Sequence, residues 1–578
     1  MTAAGSAQAA ARRLHRLLAD DWAFTMREFP ELATAVGEPG QDDRWTDWSR
    51  EAITRRRDRT RRSLAALESI DRTRLSPADR LNEKLYEQQL RLEMEGQRFP
   101  DEWLPVNQMS GIQHDLAETV ALMPSRTTAD HEQILARLRA VPTLVSQVVT
   151  LMEAGAKRRI TPPRVTLLDV PAQIEQLMAA NSPLLRPFWA SPGPASPQQT
   201  DRVRREAESV FRERVRPALA RLRDFLLREY IPAARGSIAL EDLPDGEAWY
   251  RHQVRLHTTT DLTPCQIHDI GLSEVRRIRG EMESTLAGVD FQGSLAEFFE
   301  FLRTDPRFFF KTPSGLLMAY RDIAKRADEK LVSFFGRLPR LPYGVRAVPA
   351  YAEKSQTTAY YQPGSPEAAR PGIFYANTYD LKSRPRWEME ALTLHEAVPG
   401  HHLQIALAQE KAELPDFRRH ASITAFVEGW GLYAESLGRE MGFYADSYSR
   451  FGQLIYEMWR AIRLVVDTGM HALGWTRQKA IDYFEENTGK AGHDIVVEVD
   501  RYLAWPGQAL AYTIGELRIK DLRARAEEAL GERFDLRAFH DEILGEGPLP
   551  LDILEEQMDR WMKTASSTRA GTAGSPGS

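Results

Sequence analysis

The chain has 578 residues, a net charge of −6, 27% charged residues and 42% hydrophobic residues. These values are typical of a folded protein with a sizeable core, and they do not favour nucleic acid as a partner. The single cysteine, Cys265, excludes an internal disulfide and a cysteine-based zinc cluster. Any metal must therefore use histidine and carboxylate ligands.

The N-terminal sequence MTAAGSAQAAARRLHRLL has no apolar region ahead of a cleavage site. No stretch is continuously apolar over the ~20 residues that a spanning helix needs. We therefore expect a cytoplasmic protein with no membrane partner. The sequence does not indicate an oligomeric state.

Helical periodicity dominates the chain from its beginning, where Leu14, Leu17, Leu18 and Trp22 share one helix face. Ser-Pro at Ser76 and Thr-Pro at Thr263 are typical of helix N-termini. A proline-rich stretch from Ser182 indicates a boundary between an N-terminal helical region, 1–181, and a second region, 200–562. One continuous domain is the alternative, and the tail 563–578 is expected to be disordered.

Three short segments, VRAVPAY, TTAYYQPG and GIFYANTYDL, interrupt the helical pattern and predict a small sheet at about 345–380. The fold class predicted is mainly α, a large helical body with this sheet next to a histidine-bearing helix. The strand GIFYANTYDL could bind a peptide by edge pairing. Asn377 is its candidate substrate-binding residue.

The sequence LTLHEAVPGHHLQIAL places His395 and Glu396 ahead of His401 and His402, with Pro399 and Gly400 between them. A regular helix brings ligands together at i and i+4, so neither later histidine would meet His395 on an unbroken helix. Because Pro399 cannot donate a hydrogen bond, we expect a helix bulge that brings one of the two histidines to the metal. Surface histidines at a helix kink are the alternative interpretation.

A third ligand is expected from ASITAFVEGWGLYAESLG, in which Glu428 lies among apolar and aromatic residues. Glu435 follows seven residues later on the same helix face. A structural ion pair is the alternative for Glu428. With three protein ligands, a zinc ion keeps a position for water, and Glu396 is placed to take the proton of that water.

The sequences HEAVPGHHLQ and FVEGWGLYAE resemble the signature of a bacterial family known as domain of unknown function 885. The resemblance runs from PELATAVGE near the N-terminus to FHDEILGEGPLPLDILEEQM near the C-terminus. The core is also similar to gluzincin peptidases of the thimet oligopeptidase and angiotensin-converting enzyme type. Dipeptidyl peptidase III is similar in its lengthened motif.

In those peptidases a His-Glu helix and a later glutamate bind zinc, and the second histidine follows a glycine. The resemblance therefore implies a gluzincin-like fold, a Zn²⁺ cofactor and metal ligands His395, His401 and Glu428. It leaves His402 to contact substrate or a neighbouring carboxylate. It also implies a deep cleft that limits substrates to short peptides.

A second electrophile is expected to stabilise the developing oxyanion. In YEMWRAIRLVVDTGMHALGW, Arg463, Asp467 and His471 recur every four residues on a buried helix, either at the active site or as an internal polar network. Tyr512 could donate to the oxyanion or only pack. We take His471 and Tyr512 as candidate catalytic residues and Arg463 as a candidate substrate-binding residue.

The function predicted is a zinc metallopeptidase that hydrolyses short peptides with Glu396 as general base. One alternative is a zinc-dependent amidase or biosynthetic tailoring enzyme that acts on a small amide. The other is a metal-stabilised binding protein without turnover. Glu396 argues against the binding protein, because a pure binder has no use for a base beside a ligand.

Overall fold

The computed structural model describes residues 3–189, 197–289, 291–349, 353, 357–490 and 492–567. Within them the chain is mainly helical with one three-stranded sheet, as predicted. Contacts divide it into two compact units. The first takes in the described part of 1–249 with Ser365–Ala368 and Pro415–Phe417, and the second takes in the rest.

The first unit is entirely helical in its described residues. An apolar core joins its first, third and fourth helices, and Ser76 caps the fourth by accepting a hydrogen bond from Asp79 N at 3.1 Å. The helices are α1 (Ala3–Glu28), α2 (Pro30–Val36), α3 (Arg50–Glu68), α4 (Pro77–Gly96), α5 (Ile112–Leu122), α6 (Thr128–Lys157), α7 (Val170–Met178), α8 (Arg186–Trp189), α9 (Pro197–Val210), α10 (Arg216–Phe225) and α11 (Ile231–Ala233).

The division between the units falls after Trp249, within α12 (Gly246–Thr258), and not in the proline-rich stretch from Ser182. Helices α9 to α11 form one long helical stretch, joined by two π-helical segments. It belongs to the first unit because α9 packs on α6 and α10 packs on α7. Residues 190–196 of the proline-rich stretch lie outside the described residues.

Helix α6 is long and apolar enough to span a membrane by length and composition, although Arg137 and Arg139 interrupt its apolar sequence. Half of the most apolar 18-residue segment of α6 is buried within the protein. A helix at the core of a water-soluble protein passes the same test, because such a helix is apolar on most of its faces.

The second unit is built around a long helix, Ser447–Ala472, in which every residue from 451 to 471 except Glu457 is buried. The helices after α12, of which α18 begins in the first unit, are α13 (Pro264–Ala287), α14 (Leu295–Thr304), α15 (Pro313–Phe334), α16 (Met389–Glu396), α17 (His401–Gln409), α18 (Asp416–Arg419), α19 (Thr424–Leu437), α20 (Ser447–Ala472), α21 (Arg477–Asn487), α22 (Gly492–Ala504), α23 (Ala511–Leu530), α24 (Leu536–Ile543) and α25 (Leu551–Ser567).

The predicted sheet is present and lies directly before the histidine helix in the chain. Its strands are β1 (Tyr343–Ala347), β2 (Ala359–Gln362) and β3 (Gly372–Ala376), in the order β1-β3-β2. Strand β3 pairs in parallel with β1 and antiparallel with β2. Both edges of β3 are therefore occupied, and the expectation that this strand pairs with a peptide along its edge is wrong.

The C-terminal helix α25 extends to Ser567, so the predicted disordered tail is wrong for residues 563–567. Arg533 Nη1 donates to the carbonyls of Ser566 at 2.9 Å and Ala565 at 3.4 Å. A cation that satisfies the last carbonyls stabilises a helix C-terminus. Residues 568–578 lie outside the described residues.

Helices α19 and α23 approach closely where two glycines meet. A Cβ at Gly429 would lie 2.5 Å from the backbone of Gly515, and a Cβ at Gly515 would lie 1.9 Å from the carbonyl oxygen of Ala425. No larger residue fits at either position unless the helices separate. This contact sets the position of α19, the helix that carries Glu428 and Glu435.

Gly429→Ala should lower the free energy of unfolding by about 1–3 kcal/mol, because the added methyl group forces α19 away from α23. Urea unfolding followed by circular dichroism measures the change. The matched control is Gly280→Ala on α13, whose added Cβ would meet nothing within 4 Å. The control should be neutral or gain up to about 1 kcal/mol from helix propensity. Equal stability of the two variants would contradict the close approach.

Candidate metal centre

The HEAVPGHH segment forms a break between two helices rather than the expected bulge within one. Helix α16 ends at Glu396, and α17 begins at His401. A Cβ at Gly400 would lie 1.9 Å from the carbonyl oxygen of His395, so the backbone can turn this tightly only at glycine. The break places His401 beside His395, although six residues separate them.

Three predicted ligands converge, and they are His395, His401 and Glu428. The Nε2 atoms of both histidines lie 3.5 Å from the same carboxylate oxygen, Glu428 Oε2. The two imidazole rings are nearly perpendicular, with centroids 4.6 Å apart. One ligand atom from each residue lies within 4.8 Å of the others. The proximity predicted for these residues is therefore confirmed, with His401 and not His402 in the cluster.

Glu435 fixes the orientation of the His395 ring from the opposite side. Its Oε1 lies 2.8 Å from His395 Nδ1, and both side chains are 3% exposed. An ionised carboxylate only accepts, so Nδ1 carries the hydrogen and Nε2 faces Glu428. Gly431 makes room for this ring, since a Cβ there would lie 2.6 Å from His395 Cε1.

The electrostatics of the cluster call for positive charge between the rings and Glu428. Burial lowers the pKa of His395, but hydrogen bonds to Glu428 and Glu435 outweigh it and raise the pKa to about 10. Burial opposes ionisation of Glu428, but the two histidines hold its pKa well below the usual range. Without a cation or proton, the Nε2 lone pairs and the carboxylate would face one another as acceptors.

A zinc ion fits this donor set. Two neutral imidazoles and one carboxylate are typical ligands of an open zinc site. Tetrahedral bonds of 2.0–2.2 Å place ligand atoms about 3.3–3.6 Å apart, and both nitrogen-to-oxygen separations are 3.5 Å. The Glu435 contact to His395 Nδ1 is the carboxylate–histidine arrangement that commonly supports a metal ligand.

Glu396 is the last residue of α16 and is 8% exposed. Its negative charge raises the pKa of the neighbouring His395. Burial raises the pKa of Tyr320 on α15, and the charges of Glu388 and Glu396 raise it further. Among the residues that the structure describes, none donates a hydrogen bond to its carboxylate. Glu396 is thus a charged acceptor beside the ligands that is free to bind water.

Both ring nitrogens of His402 contact protein groups other than a carboxylate, and its predicted contact with substrate stays a prediction. Its Nε2 donates to the carbonyl of Leu341 at 3.0 Å, and its Nδ1 accepts from the Tyr361 hydroxyl at 2.8 Å. Burial lowers the pKa of His402 to about 4, which keeps the ring neutral as this pattern requires. His402 therefore attaches α17 to the sheet.

Asn377 also has a structural role in place of the predicted substrate contact. Its Nδ2 donates to the carbonyls of Glu353 at 2.7 Å and Thr357 at 3.1 Å, and its Oδ1 accepts from Tyr379 N at 3.0 Å. The residue is 1% exposed. Asn377 fixes the backbone after β3 and is inaccessible to a peptide.

His471 lies in the protein core, so the prediction that it is catalytic is wrong. Its Nε2 contacts the carbonyl of Tyr502 at 3.0 Å, and its ring packs against Tyr250. Asp467, one turn earlier, accepts hydrogen bonds from the Tyr250 hydroxyl at 2.6 Å and from Gly507 N. Burial raises the pKa of Asp467 to about 7. These two residues form the internal polar network that was the alternative interpretation.

Arg463 and Tyr512 lie together. The guanidinium of Arg463 stands 4.3 Å from the centroid of the Tyr512 ring and donates to Glu498 at 3.2 Å. The Tyr512 hydroxyl accepts from Arg501 Nη2 at 3.0 Å, which leaves its own hydrogen available to donate. The roles predicted for Arg463 and Tyr512 stay predictions.

Three residues near the site were not given a role from the sequence. The sequence placed Glu435 on the same helix face as Glu428, seven residues later. That spacing is the signal that could have indicated its contact with His395. Arg460 and Arg501 carry no such signal, because an arginine on a helix is most often a solvated residue. Both contact the ring of Tyr512 or its hydroxyl.

The fold and site together define a mainly helical protein with a candidate His-His-Glu metal centre. The model of a family described as bacterial protein of unknown function (DUF885) matches residues 30–558. The chain therefore belongs to that family. None of the curated proteins matches it.

Two solved structures share the fold. A candidate lipoprotein from Colwellia psychrerythraea is 28% identical, with a TM-score of 0.91 over 97% of this chain and 99% of that one. A candidate lipoprotein of unknown function from Shewanella oneidensis is 16% identical, with a TM-score of 0.67 over 94% of this chain and 98% of that one. The second likeness shows the fold alone. The cytoplasmic location predicted for this chain stays a prediction.

His401→Ala should abolish zinc retention, whereas His402→Ala should keep about one zinc per chain, because only His401 faces Glu428. Metal content after zinc loading and dialysis, measured by mass spectrometry, tests both. His402→Ala should instead lower stability by about 1–3 kcal/mol, since it leaves the Tyr361 hydroxyl and the Leu341 carbonyl without their partner. Equal zinc retention by the two variants would argue against the site.

Glu435→Gln should weaken zinc binding about 10–100-fold, because the ring of His395 loses the charged acceptor that fixes it. Competition with a chromophoric chelator measures the affinity. Glu440→Gln is the matched control, since Glu440 pairs with Arg523 and its side chain is 45% exposed. An unchanged affinity in Glu435→Gln would mean that the contact does not support a ligand.

Proposed function

We propose that this protein is a zinc-dependent hydrolase that cleaves amide bonds in short peptides. The observation that carries the proposal is the convergence of His395, His401 and Glu428 on one point beside Glu396. Structural ion pairs do not need a free carboxylate next to the cluster. A hydrolase does, because water must lose a proton as it attacks.

Zinc held by these three ligands would polarise the substrate carbonyl and lower the pKa of water to about 7. Glu396 takes the proton from the attacking water and delivers it to the leaving nitrogen. Glu435 keeps the hydrogen on Nδ1 of His395, so that Nε2 stays available as a ligand. The low exposure of these side chains excludes bulk water and strengthens their interactions.

Tyr512 is the electrophile that we propose for the oxyanion. It lies in the first turn of α23, three residues before the glycine that contacts α19. Because its hydroxyl already accepts from Arg501, its hydrogen can point to a second acceptor. A phenol held in this way stabilises negative charge that develops on an adjacent oxygen.

The arrangement supports the proposed relationship to gluzincin peptidases. A His-Glu helix supplies one ligand and the base, a histidine after a glycine supplies the second ligand, and a later helix supplies the glutamate. In this chain the connection between the two histidines is longer and divides the helix in two. The residue types that would bind the metal are the same as in those peptidases. We therefore propose an amide bond as the bond that the protein cleaves.

Glu396→Gln should keep the metal and lower kcat about 10²–10⁴-fold, because the amide cannot accept the proton of water. A mixture of short peptides followed by mass spectrometry measures cleavage, with zinc content measured on the same samples. Glu413→Gln, at a side chain that is 72% exposed, is the matched control. Wild-type cleavage by the Glu396 variant would exclude Glu396 as the base. Zinc-loaded wild-type protein that cleaves no member of the mixture would overturn the proposed function.

A further inference from the structure

Three arginines surround the ring of Tyr512. Arg463 and Arg460 on α20 place their guanidinium carbons 4.3 and 5.5 Å from the ring centroid, and Arg501 on α22 lies 5.9 Å from it. Their side chains are 3%, 9% and 12% exposed, respectively. We call these three residues the arginine cluster. Such a concentration of buried positive charge is costly unless anions balance it.

The carboxylates around the arginine cluster do not balance it. Glu498 serves two of the arginines, Arg463 and Arg501, each at 3.2 Å. The carboxylate paired with Arg460 among the described residues is Glu435, at 4.0 Å. Since Glu435 is already bound to His395 Nδ1 at 2.8 Å, three cations share two carboxylates, one of which serves the metal ligand.

Hydrogen bonding shows the same shortage of acceptors. Arg460 Nε, Arg463 Nη1 and Arg501 Nε are all buried without a partner among the described residues. The indole Nε1 of Trp459, next to Arg460, is also buried without one. Buried donors are nearly always satisfied in proteins, and each one that is not costs about 1–3 kcal/mol. The unpartnered arginine atoms are all donors, so an added acceptor would satisfy them.

The arginine cluster is adjacent to the candidate metal centre. Arg460 and His395 contact the same oxygen, Oε1 of Glu435, so one carboxylate separates them. Tyr512 and Gly515 lie on one turn of α23, and Gly515 contacts α19 at Gly429, the residue after Glu428. The arginine cluster and the candidate metal centre therefore share Glu435, which lies on the Nδ1 side of His395.

We propose that the arginine cluster binds a carboxylate of the substrate and makes the enzyme selective for peptides with a free carboxylate. The inference rests on the proposed function. Arg460 and Arg501 have the more exposed side chains, so the carboxylate enters at their edge. A guanidinium group matches a carboxylate in shape and charge, and every unmodified short peptide carries one at its C-terminus.

The test compares trialanine with trialanine amide, which differ only in the terminal carboxylate. Zinc-loaded wild-type protein should cleave between alanines with a kcat/KM about 10²-fold higher for the acid, because a charged hydrogen-bonded pair is lost with the amide. In Arg460→Gln the ratio of acid to amide should fall towards one, and Arg460→Lys should restore part of it. A merely structural role of Arg460 would lower both rates and leave the ratio unchanged.

Arg477→Gln is the matched control, because Arg477 pairs with Asp500, the residue next to Arg501, but does not contact Tyr512. Its acid-to-amide ratio should equal that of the wild type. Binding is measured separately, by calorimetry with zinc-loaded Glu396→Gln, which does not depend on turnover. This variant should bind trialanine more tightly than its amide, and adding Arg460→Gln should remove the difference.

The outcomes separate the inference from the proposed function. Equal cleavage of acid and amide would keep the hydrolase and overturn the carboxylate site. Tighter binding of the acid without cleavage of either peptide would keep the carboxylate site and count against peptide hydrolysis. A ratio that stays high in Arg460→Gln would overturn the assignment to the arginine cluster. No cleavage and no binding of either peptide would overturn both.

Discussion

The hydrogen bond between His395 Nδ1 and Glu435 is the interaction on which the site depends. It determines which nitrogen of His395 faces Glu428, and it brings a second buried carboxylate of α19 against α16. Glu428 and Glu435 lie two turns apart on one helix, so a single helix position sets both. Because Glu435 also lies near Arg460, the same carboxylate connects His395 to the arginine cluster.

Glycines make this arrangement sterically possible. Gly431 leaves space for the His395 ring, Gly400 lets the chain turn over the carbonyls of α16, and Gly429 meets Gly515 where α19 approaches α23. In each case a methyl group would collide with a ligand ring or with backbone. The glycines near the motifs therefore contribute close packing of polar side chains, at the cost of helix propensity in α19.

The sequence indicated the residues of the candidate site better than the path of the chain. Residue types and their apolar setting were enough to select His395, Glu396 and Glu428, whereas His401 was chosen over His402 only from the resemblance to peptidases in which the second histidine follows a glycine. The helix break was missed, since a bulge and a break both follow from Pro-Gly. Asn377 and His471 were misassigned, and the partners of His402 were not foreseen, because polar residues inside a protein bind backbone carbonyls as readily as substrates. Only the tertiary structure shows which partner each side chain has.

Adjacent histidines in α17 connect two parts of the second unit that are far apart in sequence. His401 faces Glu428, and His402 is held by Tyr361 of β2 and the carbonyl of Leu341 just before β1. Their backbones belong to one helical turn, so α17 cannot shift at one histidine and stay fixed at the other. By thermodynamic linkage, a ligand that binds at His401 therefore also stabilises the attachment of α17 to the sheet. Binding of a metal at His401 would therefore also hold β2 in place through His402 and Tyr361.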